Sequence, residues 1–162
     1  MNESQQNHRI VFVCSGNICR SPMAAVIAMK KFTEANIPHR IISAGTLGLV
    51  NRRAAEHAIK ATEEIGIDLA AHRSQSANSG ILNLADVIVV MSPMHTRHIV
   101  KNTPALQSKI LELWRLAPID KYGRLEEIED PVNKALNKFR QCRDLISDCL
   151  DAWIEHIKRH QQ

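Results

Sequence analysis

A cysteine that closes a short apolar run, with an arginine six positions later, constrains this chain more than any other feature. Residues 11–14 are typical of a buried strand, and Ser21 and Pro22 are typical of a helix start. Gly16 and Asn17 lie between them and are residue types that tolerate a positive φ. A loop that enters a helix in this way turns its N–H groups toward an anion. The sequence therefore predicts a phosphate-binding loop directly after the first strand.

Cys14 and Arg20 are the candidate reactive residues of this loop. Backbone N–H groups and the positive end of the helix dipole favour the thiolate form of Cys14. The planar guanidinium of Arg20 can bind two phosphate oxygens at once. These residue types predict an attack of Cys14 on phosphorus that forms a cysteinyl-phosphate. Such a reaction requires no metal ion, and no cofactor is expected.

The leaving group of such a reaction needs a proton from a general acid. Asp130, which Pro131 follows, is the candidate. An aspartate before a proline is also an ordinary helix start, so both interpretations stay open on local grounds. The spacing does not exclude four other acidic residues: Asp68, Asp86, Asp120 and Glu129.

Charge and hydropathy bound the partners of the chain. The net charge of +4 is dispersed in short pairs, which suits an anionic substrate and does not predict nucleic-acid binding. No apolar run has transmembrane length, so no membrane partner is expected. Residues 1–7 are polar and predict a flexible tail rather than a signal peptide, so we expect a cytoplasmic protein with reduced cysteines. His95 and His98 lack an evident ligand set and are predicted to be surface residues.

Strands and helices alternate along residues 1–162, which predicts a single α/β domain. The strands are predicted at residues 9–14, 40–44, 86–91 and 109–114. The helices are predicted at residues 22–35, 53–65, 93–101 and 131–159. Cys142 and Cys149 on the last helix are expected to pack in the core. The pattern predicts a three-layer sandwich, with a four-stranded parallel sheet between helices on both faces and the phosphate loop after the first strand.

Six segments resemble the low-molecular-weight protein-tyrosine phosphatase family in residue types, order and spacing. They are residues 14–24, 43–46, 66–69, 72–74, 86–91 and 130–131. The resemblance covers most of the chain and is of the bacterial type. It implies a metal-independent enzyme that hydrolyses phosphotyrosine in phosphorylated proteins and holds inorganic phosphate or another oxyanion in its active site.

The resemblance also implies roles for individual residues. Cys14 would be the nucleophile, Arg20 the phosphate clamp and Asp130 the general acid. The phosphate-binding loop would comprise Ser15, Gly16, Asn17, Ile18, Cys19, Arg20 and Ser21. The residues that brace it would be Asn17, Ser21, Ser43 and His72, with Ser21 hydrogen-bonded to the thiolate. Cys19 would form a reversible disulfide with Cys14, and a buried structural role for Cys19 is the alternative.

Two features differ from many tyrosine-directed members of the family. Val132 and Asn133 follow the Asp-Pro pair where many members carry aromatic residues, and residues 47–51 lack an aromatic residue as well. The short 47–51 segment and residues 91–95 resemble the bacterial protein-arginine-phosphatase branch, which makes a protein-arginine phosphatase the alternative. That branch carries threonine inside the loop, whereas this chain has Ile18, as in tyrosine-directed members. We therefore favour phosphotyrosine.

Two further classes of protein share parts of this pattern. Arsenate reductases of similar fold relay a disulfide through two mid-chain cysteines, but this chain has no cysteine between Cys19 and Cys142. A non-catalytic phosphate-binding module would explain the missing aromatic wall. The presence of Cys14, Arg20 and Asp130 argues against this module.

Overall fold

Four parallel strands form the sheet of this protein, which a computed structural model describes for residues 7–160. The strands are β1 (His8–Cys14), β2 (His39–Gly45), β3 (Val87–Val90) and β4 (Ile110–Glu112). They lie in the order β2-β1-β3-β4, and every neighbouring pair is parallel. The predicted four-stranded parallel sheet is thereby confirmed. The predicted tail lies, apart from Asn7, outside the described residues.

The α-helices of the described chain surround this sheet. They are α1 (Arg20–Glu34), α2 (Glu56–Glu63), α3 (Ser79–Leu84), α4 (Pro93–Asn102), α5 (Ile119–Tyr122) and α6 (Leu136–His160). Helices α1, α2 and α6 pack together, whereas α3 contacts β1 and α4 contacts β3 and β4. The β1–β2 and β3–β4 connections run in opposite directions along the sheet, so right-handed crossovers place helices on both faces, as predicted.

The core lies on both faces of the two central strands. Phe12 of β1 and Val89 of β3 are fully buried, as expected for β-branched and aromatic residues in the middle of a parallel sheet. Phe32 of α1 packs edge-to-face on Trp153 of α6, with ring centroids 5.4 Å apart. Cys142 and Cys149 are buried, as predicted. No helix in the described chain is long and apolar enough to cross a membrane.

Most predicted elements differ from the structure by one to three residues at their ends, as in the helix predicted at residues 53–65, which spans Glu56–Glu63. Two differences have a clear physical reason. The last helix begins at Leu136 rather than at residue 131, because Asn133 has a φ of 60°, which a right-handed helix excludes. The predicted strand at residues 109–114 is only three residues long, and a 3₁₀ helix (Leu113–Leu116) follows it directly. This edge strand pairs with β3 alone, so no second neighbouring strand stabilises a longer extended segment.

The pattern did not predict the shortest helices. Asn78 caps α3 by accepting a hydrogen bond from the Ile81 N–H at 3.0 Å. Helices α3 and α5 have six and four residues, which is too short for a clear periodicity. A second 3₁₀ helix (Pro104–Lys109) precedes β4. None of these elements changes the edge of the sheet where the predicted site lies.

Candidate active site

The predicted phosphate loop lies between the carboxyl end of β1 and the start of α1. Helix α1 begins at Arg20, two residues before the predicted start, and no side chain caps its N-terminus. The N–H groups of the first turn are therefore free to meet an anion. Asn17 has a φ of 56°, whereas the φ of Gly16, the other residue here that tolerates a positive value, is not positive. Asn17 alone supplies the left-handed residue of this loop.

Cys14 lies at the base of the loop and is almost completely buried. Its Sγ is 3.0 Å from Ser21 Oγ. Ser21 Oγ accepts a hydrogen bond from the Asn17 amide at 2.9 Å. Its own proton has two acceptors within reach, the Ala44 carbonyl at 3.4 Å and the nearer Cys14 sulfur, and a thiolate would be the stronger of the two. A hydroxyl donor at this distance stabilises a thiolate.

Asn17 connects the loop to β2 and to the segment that precedes α3. Its Nδ2 donates to Ser43 Oγ at 2.9 Å, and its Oδ1 accepts from the Gln75 N–H at 3.0 Å. The Asn17 carbonyl lies 2.7 Å from His72 Nε2, which must carry the proton because a carbonyl only accepts. Burial lowers the pKa of His72 below its usual value, which favours the neutral donor. The structure thus brings the predicted bracing residues together and adds Gln75, which the sequence did not single out.

The end of β2 approaches the loop too closely for any residue but glycine. A Cβ added to Gly45 would lie 2.7 Å from the Ser15 carbonyl oxygen and 3.0 Å from Asn17 N. The Thr46 N–H donates to the Cys14 carbonyl, and the Leu47 N–H donates to the Ser15 carbonyl, both at 3.0 Å. The segment after β2 is therefore hydrogen-bonded directly to the loop backbone.

Arg20 and Asp130 meet although 110 residues separate them. Arg20 Nη2 donates to Asp130 Oδ2 at 3.0 Å, and Nη1 donates to the Ile128 carbonyl at 3.1 Å. The guanidinium is only 3% exposed, yet its Nε–H has no hydrogen-bond partner among the described residues. A buried donor of this kind needs an acceptor, and an oxyanion in the loop would supply one.

Asp130 is not a helix cap. Helix α6 begins six residues later. The Asp130 oxygen that does not contact Arg20 accepts a hydrogen bond from the Val132 N–H at 3.1 Å, within the segment that precedes α6. Of the other acidic candidates, Asp86 pairs with Arg9 at the amino end of β3, opposite the loop. Glu129 is exposed and pairs with Lys134. Asp130 is thus the acid that the structure places against the phosphate loop.

Cys19 is buried at the start of α1. Burial, together with the negative charge of Asp130, raises the pKa of its thiol to about 12. The thiol is therefore protonated near neutral pH, which suits a packed residue. The proposed disulfide with Cys14 stays a prediction.

His95 is a further site residue that the sequence did not predict. It was expected at the surface, but it is fully buried and its Nε2 lies 3.0 Å from Ser15 Oγ. It lies four residues before Ile99 on α4, and both side chains face the core. This spacing was the available signal, because residues at i and i+4 share one helix face. His98 is exposed, as expected.

Aliphatic residues are exposed in the two segments that contact the phosphate loop, the one after β2 and the one around Asp130, and these segments are called its mouth below. Leu47 and Val50 are about two-thirds exposed, and Val132 is partly exposed. Ile18 and Leu49 approach Gly16, with carbons 3.4 and 3.7 Å from an ideal Cβ position there. Within residues 7–160, no group of three or more histidine, cysteine or acidic side chains is arranged to hold a metal ion.

Known proteins are similar to this chain in both sequence and fold. A family model described as low molecular weight phosphotyrosine protein phosphatase matches residues 9–162. A low molecular weight protein-tyrosine-phosphatase of Acinetobacter johnsonii is 33% identical over 152 residues, which cover 94% of this chain and 99% of the relative. A protein-arginine-phosphatase of Geobacillus stearothermophilus is 31% identical over 155 residues, covering 95% and 99%.

A solved structure extends the comparison to three dimensions. The low molecular weight protein tyrosine phosphatase from T. tengcongensis superposes with a TM-score of 0.82 at 30% identity, over 93% of this chain and 99% of that one. The matches in sequence and structure span the phosphate loop, the sheet and Asp130. With its loop geometry, they show that this chain belongs to the low molecular weight phosphotyrosine protein phosphatase family.

Proposed function

We propose that this protein hydrolyses phosphotyrosine in phosphorylated proteins through a cysteinyl-phosphate intermediate on Cys14. The observation that carries the proposal is the buried guanidinium of Arg20, whose Nε–H lacks a partner within residues 7–160. It belongs to the same loop as the Cys14 sulfur. A phosphate group there would satisfy this donor and the uncapped N–H groups of α1.

The first step would transfer the phosphoryl group to the protein. The Cys14 thiolate attacks phosphorus, the P–O bond to the tyrosine breaks, and Asp130 protonates the leaving oxygen. An incoming phosphate takes over the Arg20 donors and so releases the Asp130 carboxylate, which takes a proton from solvent before it serves as the acid. Arg20 and the loop N–H groups hold the equatorial oxygens while charge redistributes.

The second step would restore the nucleophile. Asp130, now a carboxylate, takes a proton from water, and the oxygen of that water attacks phosphorus. The P–S bond breaks, inorganic phosphate forms, and the sulfur leaves as a thiolate that Ser21 stabilises across 3.0 Å. The hydrogen bonds of Asn17, Ser43 and His72 keep the loop in one conformation through both steps.

The apolar mouth of the loop supports an aromatic leaving group. Ile18 and Leu49 offer aliphatic surface beside Gly16 on which a phenyl ring can pack. A guanidinium group requires hydrogen-bond acceptors, and an isoleucine offers none. The name of the Acinetobacter johnsonii relative points in the same direction.

Protein-arginine phosphatase is the second candidate. The mouth lacks aromatic residues at 47–51 and 132–133, and a relative of similar identity carries that name. For either activity we propose a cytoplasmic protein without nucleic-acid or membrane partners, and without a cofactor or resident metal. The four unpaired, buried cysteines are in keeping with a reducing compartment.

The test is phosphate release from two peptides of identical sequence that carry either phosphotyrosine or phosphoarginine, without added metal. We expect faster release from phosphotyrosine, and no release by Cys14→Ser, which should still bind phosphate. Faster release from phosphoarginine would replace the substrate assignment. Release that survives in Cys14→Ser would refute the nucleophile, and the absence of release by the unmodified protein would refute the enzymatic function.

A further inference from the structure

A buried histidine contacts the residue that directly follows the predicted nucleophile. His95 in the first turn of α4 is fully buried, and its Nε2 lies 3.0 Å from the Oγ of Ser15. The mechanism proposed above uses neither side chain. Imidazole is rarely enclosed in this way without a polar partner, because desolvation of a polar group is costly.

The direction of this hydrogen bond follows from the other ring nitrogen. His95 Nδ1 is buried and has no partner among the described residues. A buried N–H without an acceptor is costlier than an unused nitrogen lone pair, so the proton belongs on Nε2. Burial and the nearby charge of Arg20 lower the pKa of His95 to about 3, so the ring is neutral. The Nε2–H therefore donates to Ser15 Oγ.

The other hydrogen bonds that hold the loop come from different sides. Ser43 and His72 fix Asn17 from β2 and the segment that follows α2. Asp130 holds Arg20 from the segment that precedes α6. The side chain of Ser15 receives its hydrogen bond from α4, which follows β3 on the other side of β1. His95 thus holds the start of the loop from a direction that those braces do not cover.

We propose that His95 is a positioning residue that acts through Ser15 on the backbone of the phosphate loop. Its hydrogen bond fixes the side chain of Ser15, and together with the Thr46 N–H, which holds the Cys14 carbonyl, it orients the peptide between Cys14 and Ser15. The orientation of this peptide sets where the sulfur and the first loop N–H point. This inference rests on the proposed function, and it adds a hydrogen bond that orders the loop for anion binding and attack.

Three variants test the proposal. His95→Met fills the space without a donor, Ser15→Ala removes the acceptor, and His95→Gln keeps an N–H donor at similar reach. His98→Met is the matched control, because His98 lies exposed on the same helix. We would measure kcat and KM on a phosphotyrosine peptide and the inhibition constant for vanadate, well below each variant's Tm.

The loss of one hydrogen bond predicts that His95→Met and Ser15→Ala each lower kcat/KM about fivefold and weaken vanadate inhibition to a similar degree. His95→Gln should restore most of both, and a double variant that combines His95→Met with Ser15→Ala should lose no more than either single variant. His98→Met should match the unmodified protein.

Three outcomes would overturn the proposal. In the first, His95→Met loses stability but keeps its kcat/KM and vanadate inhibition, so the role of His95 is structural. In the second, His95→Gln is as impaired as His95→Met, so ring volume is what matters. In the third, the double variant shows additive losses. Should His95→Met fail to fold, the Ser15→Ala variant still tests the proposal. Ser15 is only half-buried, so this variant should fold, and unchanged kinetics would refute the proposal. Failure of the proposed function has a different signature, since the unmodified protein would then release no phosphate.

Discussion

Gly45→Ala should disable the phosphate loop although residue 45 belongs to the neighbouring strand. The added Cβ would lie 2.7 Å from the Ser15 carbonyl oxygen, so about 0.7 Å of movement is needed to regain ordinary contact. Two further atoms, Asn17 Cβ and Asn17 N, lie 3.0 Å away. Gly45 pairs with Cys14 in the sheet, and the Leu47 N–H holds the Ser15 carbonyl at 3.0 Å. The strain therefore falls on backbone that cannot rotate away.

The size of the effect follows from this geometry. Overpacking of a tight site costs about 1–3 kcal/mol of the free energy of unfolding. A displacement of about 1 Å at reacting groups costs about 100-fold in rate. We therefore expect Gly45→Ala to lower kcat/KM on a phosphotyrosine peptide between about 10-fold and about 100-fold, and to weaken vanadate inhibition in parallel.

The assay combines urea unfolding with steady-state kinetics at a temperature where every variant is folded. Gly80→Ala is the matched control, because Gly80 is exposed in α3 and the nearest atom to its added Cβ is a side-chain oxygen of Asn78 at 3.2 Å. The control should keep its kcat/KM. If Gly45→Ala keeps the kcat/KM and vanadate inhibition of the unmodified protein, the close approach of β2 does not set the loop geometry, and the reasoning is refuted.

Three more predictions test the site and the fold. Asp130→Asn should lower kcat about 10²–10⁴-fold on a substrate with a poor leaving group, because the proton donor is lost while the contact with Arg20 is retained; an unchanged kcat would place the acid elsewhere. Ile18→Thr should raise the ratio of phosphoarginine to phosphotyrosine turnover, and a constant ratio would show that residue 18 does not select the substrate. Hydrogen bonds from Arg9 lower the pKa of Asp86 from 3.8 to about 2. The pair therefore stabilises the fold above pH 3.8, and this contribution is lost as the pH falls toward 2. Urea unfolding of the unmodified protein and Asp86→Asn should converge over that range, and a pH-independent difference between them would contradict this linkage.

Local sequence was sufficient for the sheet and for the phosphate loop. Residues 10–13 and 87–90 are apolar and mostly β-branched, and such runs are typical of central strands in a parallel sheet. Cys14, Asn17, Arg20 and Ser21 lie within eight consecutive residues, so one strand-to-helix turn brings them together. A single-sequence argument succeeds where the contacts are local in the chain.

The rest of the site depends on contacts that are distant in the chain. Asp130 lies 110 residues from Arg20, and on local grounds it resembled a helix cap. It is not a cap, because Asn133 has a left-handed conformation and α6 begins only at residue 136. His95 lies 80 residues from Ser15, and only the fold shows that the buried face of α4 meets the loop. The spacing of residues along a helix shows which side chains are buried. It does not show whether a buried polar side chain has a hydrogen-bond partner on another element.

Buried hydrogen-bonding groups without partners lie at the same phosphate loop that the sequence motif identifies. In residues 7–160, the buried side-chain nitrogens without a partner are Arg20 Nε and His95 Nδ1, and both lie at the phosphate loop. Each costs free energy that a fold selected for stability alone would avoid. An oxyanion in the loop would satisfy the Arg20 donor. In the role proposed for His95, its Nδ1 stays unused because the opposite side of the ring holds Ser15. The stability lost at these two atoms would then maintain a loop that is ordered before its ligand binds, which is the condition for electrostatic stabilisation without reorganisation during the reaction.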